Sequence, residues 1–290
     1  MSERVGDEIE ITWPDPGTWI QSPKSENRYV IGEQIGEGAF SIVFSCVDTW
    51  GNELVAKVLK PNNQPFESVQ AKAIVEADAL AILRHPNIVY IFDAFEYGGL
   101  FYIVVEKCVQ DITDLIQLPD FDGYFWIKKV ARCLLQSLDF AHSMGVAHCD
   151  IHPGNVLYQF QRDEITNAPG SSLAFKLSDL GIAQLSTDIS HVATFLNKIR
   201  PPECLNPCRY GTPDHRVDIY QSGLLLLQLL KGELLTFTDD EKLAGKPREL
   251  ALELPPPFNF ALEKTLRRTV SWRTASALEV WRDLNTPVGT

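Results

Sequence analysis

The sequence predicts an α+β fold in which a small antiparallel sheet is followed by a larger, mainly helical part. Short runs rich in β-branched residues occupy 29–32, 41–47 and 53–59, separated by Gly, Asn and Asp, a pattern typical of antiparallel strands. Beyond Asp111 the apolar spacing becomes helical, most clearly over 126–144 and 217–231. The chain has 290 residues, 45% of them hydrophobic, which is enough to bury a substantial core.

The remaining elements follow in order along the chain. A helix is predicted over 68–83 and ends at the His-Pro-Asn sequence of 85–87. Strand-like runs over 88–95 and 100–106 are joined by a hairpin turn at 96–99. Residues 159–172 are polar and predict a surface insertion between two short strands.

Residues 1–28 form an N-terminal extension with neither helical nor strand period. The extension contains Trp13 and Trp19. Because exposed tryptophans are unfavourable in water, we expect the extension to dock on the domain that begins at residue 29.

Composition and charge disfavour several classes of function. A formal charge of -12 argues against general binding of nucleic acid. The longest apolar run, 224–230, is too short to cross a membrane, and the charged N-terminus lacks the layout of a secretory signal. Six dispersed cysteines predict reduced thiols rather than a disulfide framework or a zinc site. We therefore expect a cytoplasmic protein without membrane or nucleic-acid partners, and the oligomeric state is left open.

The first candidate site feature is a glycine-containing turn between two predicted strands. It runs from Ile35 to Val43 and includes Gly36 and Gly38. Glycines in such a turn let backbone amides approach a phosphate chain, although an ordinary hairpin turn has the same composition.

A lysine follows on the next predicted strand. Lys57 lies between the apolar Ala56 and Val58, and Glu76 falls in the helical segment that comes next. A lysine on a buried strand needs an anionic partner to stay charged. A phosphate together with Glu76 would supply that partner, whereas an exposed strand lysine would need none.

Two further stretches place oxygen ligands at the ends of predicted elements. Asp150 and Asn155 lie five residues apart in a loop after a long helix, and Asp179 ends a strand-like run. These carboxylate and carboxamide oxygens suit the orientation of a hydroxyl and the binding of Mg²⁺. A plain turn could also contain Asp and Asn. Together with Lys57, the set predicts a phosphoryl-transfer site.

This ordered set of motifs resembles the eukaryotic-type (Hanks-type) protein kinase family, serine/threonine branch. The resemblance covers about residues 29–286. It implies the two-lobed protein kinase fold, with a small antiparallel β lobe plus one helix over 29–107 and a larger α-helical lobe over 108–290. It also implies ATP and Mg²⁺ as cofactors and phosphoryl transfer to a Ser/Thr hydroxyl of a protein substrate.

Site roles follow from the resemblance, residue by residue. The residues expected to contact ATP are Ile35, Gly36, Gly38, Val43, Ala56, Lys57, Glu106, Cys108 and Leu157, with Val105 as the gatekeeper. Lys57 would pair with Glu76. Asp150 would orient the substrate hydroxyl, and Asn155 and Asp179 would bind Mg²⁺. Glu203, at the end of the activation segment, would pair with Arg273.

Two loop residues depart from the family pattern. Cys149 stands where many members have the arginine that receives a phosphate on the activation segment. We therefore expect activity that does not depend on phosphorylation of that segment. His152 stands where serine/threonine kinases carry lysine near the transferred phosphate, and histidine supplies positive charge only when protonated.

The loop sequence also leaves two alternative functions open. His152-Pro153-Gly154-Asn155 is similar to the catalytic loop of small-molecule kinases such as aminoglycoside and choline phosphotransferases. A small-molecule phosphotransferase is therefore one alternative, and a pseudokinase scaffold is the other. The resemblance of 201–203, 218–223 and Arg273 to protein kinases favours a protein substrate.

Overall fold

The computed structural model describes residues 13–38, 41–60, 71, 74, 81–161, 172–179, 184–185 and 199–286. The chain divides into two compact units, one of Met1–Asp78 with Tyr90–Lys107 and the other of Ala79–Val89 with Cys108–Thr290. The described residues 81–89 therefore group with the second unit, although the sequence assigns them to the segment 29–107.

The first unit is built on a six-stranded antiparallel sheet. Its strands are β1 (Trp19–Gln21), β2 (Arg28–Glu37), β3 (Ser41–Asp48), β4 (Glu53–Leu59), β5 (Ile91–Tyr97) and β6 (Leu100–Glu106). Their order in the sheet is β1-β2-β3-β4-β6-β5. The hairpin between β5 and β6 turns through Gly98 and Gly99, with φ of 59° and 75°, the left-handed pair that a two-residue type I′ turn requires.

The two faces of this sheet differ in burial. On β4, Leu54, Ala56 and Val58 are buried in the core, whereas Val55 and Lys57 on the opposite face are only partly buried. This alternation follows from the two-residue period of a β-strand. The partly buried face is therefore the one that a ligand can reach.

Strand β1 joins part of the N-terminal extension to the sheet. Ile20 is buried, and the partly buried Trp13 packs against the same core. Trp19, however, is 58% exposed. The described part of the extension therefore docks through Ile20 and Trp13, while Trp19 points outward because strand alternation turns Ile20 inward and its neighbour outward.

Asp93 of β5 binds the segment that follows β1. Its carboxylate accepts hydrogen bonds from the hydroxyls of Ser22 (3.2 Å), Ser25 (2.5 Å) and Tyr29 (3.1 Å). Burial and the nearby Asp93 raise the pKa of Tyr29, so its hydroxyl remains a donor. Since β1 and β5 lie at opposite ends of the strand order, these bonds connect the two edges of the sheet.

The second unit is mainly helical. Its helices are α1 (Ile112–Ile116), α2 (Gly123–Ser143), α3 (Pro202–Leu205), α4 (Pro207–Tyr210), α5 (Arg216–Lys231), α6 (Asp239–Ala244), α7 (Lys246–Leu252), α8 (Phe258–Thr265) and α9 (Ala277–Leu284). Its short strands are β7 (Gln110–Asp111), β8 (Val146–Ala147), β9 (Val156–Gln161), β10 (Ser172–Leu177) and β11 (Gln184–Leu185). They form two small antiparallel sheets, β10-β9-β7 and β11-β8.

Helix α5 is the centre of the second unit. Every residue from Val217 to Leu230 is buried, as expected of a helix surrounded by protein on all sides. A Cβ at Gly223 would lie 2.3 Å from Thr265 Oγ1, so glycine allows α8 to approach α5 closely. The polar side chains of α5 are consequently fixed inside the unit, where they reach the loop described below.

The observed elements agree closely with those predicted beyond residue 84. The helices predicted over 126–144 and 217–231 correspond to α2 and α5. Within the predicted helix 68–83, the described residues 71, 74, 81 and 82 are helical, and residues 162–171 of the predicted insertion lie outside the described residues. In the part of the chain that the structure describes, no helix is long and apolar enough to span a membrane.

Candidate active site

The loop that carries Asp150 is anchored to helix α5 by Asp218. The Asp218 carboxylate accepts hydrogen bonds from the backbone N–H groups of Cys149 (2.7 Å) and His148 (2.8 Å), and from His142 Nε2 (2.7 Å). Burial by itself would raise the pKa of Asp218, but the hydrogen bond from His142, with the other donors, keeps the pKa below its usual value. Asp218 is therefore an ionised anchor for this loop.

Cys149 lies between that anchor and Asp150. Its backbone has φ of 68°, a left-handed conformation that costs a non-glycine residue about 1–2 kcal/mol. Its side chain is fully buried in an apolar cluster with Ala147, Cys204 and Val217. The thiol thus packs inward, at the position where many kinases carry arginine.

Among the described residues, Asp150 presents one carboxylate oxygen without a hydrogen-bond partner. Its Oδ2 accepts a hydrogen bond from Asn155 Nδ2 at 3.2 Å, and the same nitrogen donates to the Asp150 backbone carbonyl at 2.8 Å. Its Oδ1 is buried and has no hydrogen-bond partner among the described residues. Because such an atom is unfavourable when left unsatisfied, it suits a bound hydroxyl that donates to it.

His152 lies beside the same carboxylate. Its Nδ1 accepts a hydrogen bond from the backbone N–H of Gly154 at 3.1 Å. The ring proton is therefore on Nε2, which is 3.8 Å from Asp150 Oδ2. In this arrangement the Nε2 edge of His152 faces the carboxylate of Asp150.

Asp179 is held close to Asn155 through its neighbour Ser178. The backbone N–H and the hydroxyl of Ser178 both donate to the carbonyl of Asn155, at 2.9 and 3.1 Å. The carbonyl of Ser178 accepts from His148 Nε2 at 3.0 Å. These bonds fix the residue before Asp179 to the loop that contains Asn155.

The oxygen donors of Asn155 and Asp179 fit a magnesium ion. Because the Asn155 nitrogen is committed to Asp150, the amide oxygen is the atom that a cation would meet. Amide and carboxylate oxygens are ligands that Mg²⁺ prefers. Across the described ranges no group of three His, Cys, Asp or Glu residues is placed to hold a metal. A magnesium ion here would therefore also need phosphate and water oxygens, as is usual for this ion.

In the first unit, Lys57 lies on the partly buried face of β4. It is directly opposite Val43 of β3 and Ile103 of β6. Val55 shares this face and lies opposite Val105. A lysine surrounded by β-branched apolar side chains suits a ligand that combines a flat apolar base with charged phosphates.

Ala56 does not share the face of Lys57. It is fully buried in the sheet core together with Leu54 and Val58. The assignment of Ala56 to the ATP-binding set is therefore wrong, because residues i and i+2 of a strand, not i and i+1, lie on one face. Val55 takes that place beside Lys57.

Gly36 of β2 and Gly38, the residue just beyond the strand, are not required by the packing of the described residues. Gly36 pairs with Val43, and the N–H of Gly38 donates to the carbonyl of Ser41 at 2.8 Å. A Cβ at either glycine would meet its nearest described neighbours only at 3.6 Å or more. Close approach of a ligand is thus the physical reason that remains for glycine at these positions.

Lys60 steadies the glycine turn. Its Nζ donates to Glu37 Oε1 at 2.5 Å and to the carbonyl of Gly38 at 3.1 Å. The Lys60 side chain is 18% exposed, and its hydrogen bonds lower the pKa of Glu37. Lys60 was not among the residues selected from the sequence, because its partner lies 23 residues away.

The remaining members of the predicted ATP-binding set lie in both units. Ile35 and Glu106 belong to the first unit, and Cys108 and Leu157 to the second. Ile35 is 53% exposed, and the side chain of Glu106 accepts a hydrogen bond from the backbone N–H of Tyr90 at 2.6 Å. Cys108 and Leu157 are partly buried. Their contacts with ATP stay predictions, and Glu76 lies outside the described residues.

The predicted pairing of Glu203 with Arg273 is confirmed. Arg273 Nη1 and Nη2 donate to the two carboxylate oxygens at 2.6 and 2.7 Å.

Two other residues near the loop, His142 and Gln221, were not selected from the sequence for a role at the site. Both act across about 70 residues of chain, and no local pattern signals such contacts.

Comparison with known proteins identifies the class to which this fold and these motifs belong. Residues 29–271 match the protein kinase domain family, so the chain belongs to that family. The predicted α+β kinase fold is also confirmed by a solved structure, a double mutant of the PknI kinase domain of Mycobacterium tuberculosis. The two structures superpose with a TM-score of 0.64 at 20% sequence identity, and the match covers 95% of this chain and 98% of the PknI chain.

Curated relatives include bacterial serine/threonine-protein kinases. A probable serine/threonine-protein kinase of Clostridium acetobutylicum is 30% identical over 272 residues, which is 89% of this chain and 40% of that protein. Serine/threonine-protein kinase pkn3 of Myxococcus xanthus is 30% identical over 262 residues, 84% of this chain and 46% of its own length. The chain thus spans less than half of each of these two relatives.

Proposed function

We propose that this chain is an ATP- and magnesium-dependent protein kinase that transfers the γ-phosphoryl group of ATP to serine or threonine hydroxyls. The observation that carries the proposal is the buried Oδ1 of Asp150, which has no hydrogen-bond partner among the described residues. It is an acceptor that a substrate hydroxyl would satisfy. Membership of the kinase family and the Ser/Thr kinases among its relatives support this substrate class.

Each residue of the site has a distinct task in this proposal. Asp150 accepts a hydrogen bond from the hydroxyl and aligns it for in-line attack. Asn155 and Asp179 hold Mg²⁺, and Lys57 offsets phosphate charge. Val43, Val55 and Val105 provide the apolar surface for the base. When bound, ATP would supply the electrophilic γ-phosphorus and Mg²⁺ would offset charge on the phosphates.

The test is transfer of radiolabelled phosphate from ATP and Mg²⁺ to the protein itself and to a mixed basic protein substrate. Asp150→Asn should lower kcat by about 10²–10⁴-fold while nucleotide binding persists, and Asp179→Asn should weaken magnesium-dependent nucleotide binding. Phosphoamino acid analysis should give phosphoserine or phosphothreonine. Transfer only to small hydroxyl compounds, or tight ATP binding without transfer, would contradict the proposal.

We also propose a cytoplasmic location. The six cysteines are dispersed along the chain, a pattern that disfavours a disulfide framework and supports a reducing compartment. Fractionation of cells that produce the protein tests this location directly.

A further inference from the structure

Gln221 is a fully buried side chain of α5 that lies beside the loop carrying Asp150. Its Oε1 accepts a hydrogen bond from the backbone N–H of Ile151 at 3.0 Å, and its Nε2 donates to the carbonyl of Cys149 at 2.9 Å. A single amide thus binds the backbone on both sides of Asp150. A longer contact of 3.5 Å joins Nε2 to the carbonyl of Ile199.

Gln221 and Asp218 hold Cys149 between them. The two residues are three positions apart on α5, so their side chains project from the same side of the helix. Asp218 accepts from the N–H of Cys149 at 2.7 Å, and Gln221 donates to its carbonyl. Cys149 has the left-handed φ of 68°, which a non-glycine residue keeps only where its surroundings impose it.

We propose that Gln221 is a positioning residue for Asp150, acting through the backbone of Cys149 and Ile151. The catalytic consequence rests on the proposed kinase function. With both neighbours of Asp150 attached to α5, the position of its Oδ1, which no described residue contacts by a hydrogen bond, is set before a hydroxyl arrives. Displacement of a catalytic group by about 1 Å is enough to lower a rate roughly 100-fold.

Gln228 provides a matched control on the same helix. It is also a buried glutamine, 7% exposed. Its Nε2 donates to the carbonyl of Leu224 at 3.3 Å, within α5 itself. Replacing Gln228 therefore removes a buried amide from α5 without releasing the loop.

The experiment compares wild type with Gln221→Met, Gln221→Asn and Gln228→Met in the full chain. Methionine removes the amide at similar length, whereas asparagine keeps an amide that is one methylene too short to reach both neighbours. Both Gln221 variants should lose tenfold or more in kcat with KM for ATP within twofold of wild type. Gln228→Met should keep kcat within twofold of wild type, even if its Tm falls by as much as the Tm of the Gln221 variants. Equal kcat values for Gln221→Met and Gln228→Met would overturn the proposal.

Amide hydrogen exchange over residues 148–152, measured without nucleotide, separates this proposal from the kinase function. The Ile151 N–H should exchange tenfold or more faster in both Gln221 variants and not in Gln228→Met. If the wild type transfers no phosphate but the variants show this difference in exchange, the kinase function is excluded and the positioning role of Gln221 is retained. Unchanged exchange would overturn the positioning role whatever the activity.

A double-mutant cycle with Cys149→Gly tests the path through Cys149. Glycine adopts a left-handed backbone without steric cost, so it needs less support from Gln221. The loss of kcat caused by Gln221→Met should be at least threefold smaller in the Cys149→Gly background than in wild type. Equal losses in the two backgrounds would overturn the role assigned to the Cys149 backbone.

Discussion

Arg273 and Glu203 form an ion pair in which neither side chain has any exposed surface. The guanidinium also donates to the carbonyl of Arg216 at 2.9 Å and lies 4.9 Å from the centre of the Tyr220 ring. The pair thereby joins α3 to the start of α5 and to the turn before α9. Its geometry is bidentate, which only a planar guanidinium provides.

Glu203→Ala should lower the free energy of unfolding by about 3–5 kcal/mol, because it leaves Arg273 buried and unpaired. Urea denaturation measures the change. The control is Asp283→Ala, which breaks a pair with Lys264 whose side chains are 24% and 43% exposed and should cost less than about 1 kcal/mol. Similar losses in the two variants would contradict the prediction.

The ionised state of Asp218 predicts an acid-sensitive component of stability. Its pKa is lower in the folded protein than the ordinary aspartate value, which is about 3.9. The stabilisation is therefore complete above the ordinary pKa and is lost as pH falls through the folded pKa. The stability difference between wild type and Asp218→Asn should be constant from pH 7 to about pH 5 and shrink below the ordinary pKa. Urea denaturation at several pH values checks this, and a difference that persists unchanged at pH 3 would be evidence against it.

Asp93→Ala should destabilise the first unit by about 1–3 kcal/mol, because the buried hydroxyls of Ser22 and Tyr29 lose their acceptor. Thermal and urea unfolding measure the loss. Ser25 also bonds Asp93 but is exposed, so Ser25→Ala should change stability by no more than about 0.5 kcal/mol. Equal effects of the two substitutions would show that burial of the hydroxyls is not the cause.

Lys60→Met should raise KM for ATP about threefold, because the glycine turn loses a partly exposed cation that bonds Glu37 and Gly38. Steady-state kinetics with varied ATP measures the change. Lys107→Met is the control, since Lys107 pairs with Glu53 at 2.8 Å, where both side chains are largely exposed. A KM for Lys60→Met that matches this control would exclude a role of Lys60 in nucleotide binding.

The resemblance to protein kinases implies that Thr187, Ser190 and Thr194 lie in the activation segment, before Glu203. Their combined replacement by alanine should leave kcat within about twofold of wild type, because a phosphate there would lack an arginine partner at position 149. The buried Cys149 thiol offers no positive charge to a phosphate. Kinase assays on the triple variant, with circular dichroism to verify folding, provide the test. Loss of activity in a folded triple variant would show that phosphorylation of this segment is needed.

Much of the fold and of the second-unit site was predictable because the signals are local. Strand and helix periods predicted β3–β6, α2 and α5 to within three residues at each end. Strand β2 extends five residues beyond the predicted run 29–32. Asp150 and Asn155 lie five residues apart in one loop, and the structure places their side chains 3.2 Å apart. Ala56 lies on the opposite face of β4 from Lys57, as the two-residue period of a strand predicts.

The sequence by itself determined the order of elements, the family and the catalytic residue types, since these depend on local propensity and motif spacing. The tertiary structure alone decided that Asp93 accepts a hydrogen bond from Ser22 and that Cys149 takes a left-handed backbone between Asp218 and Gln221. Each of these depends on partners about 70 residues away in the chain. Such partners are selected by packing and by the need to satisfy buried polar groups, and neither requirement leaves a local pattern in the sequence.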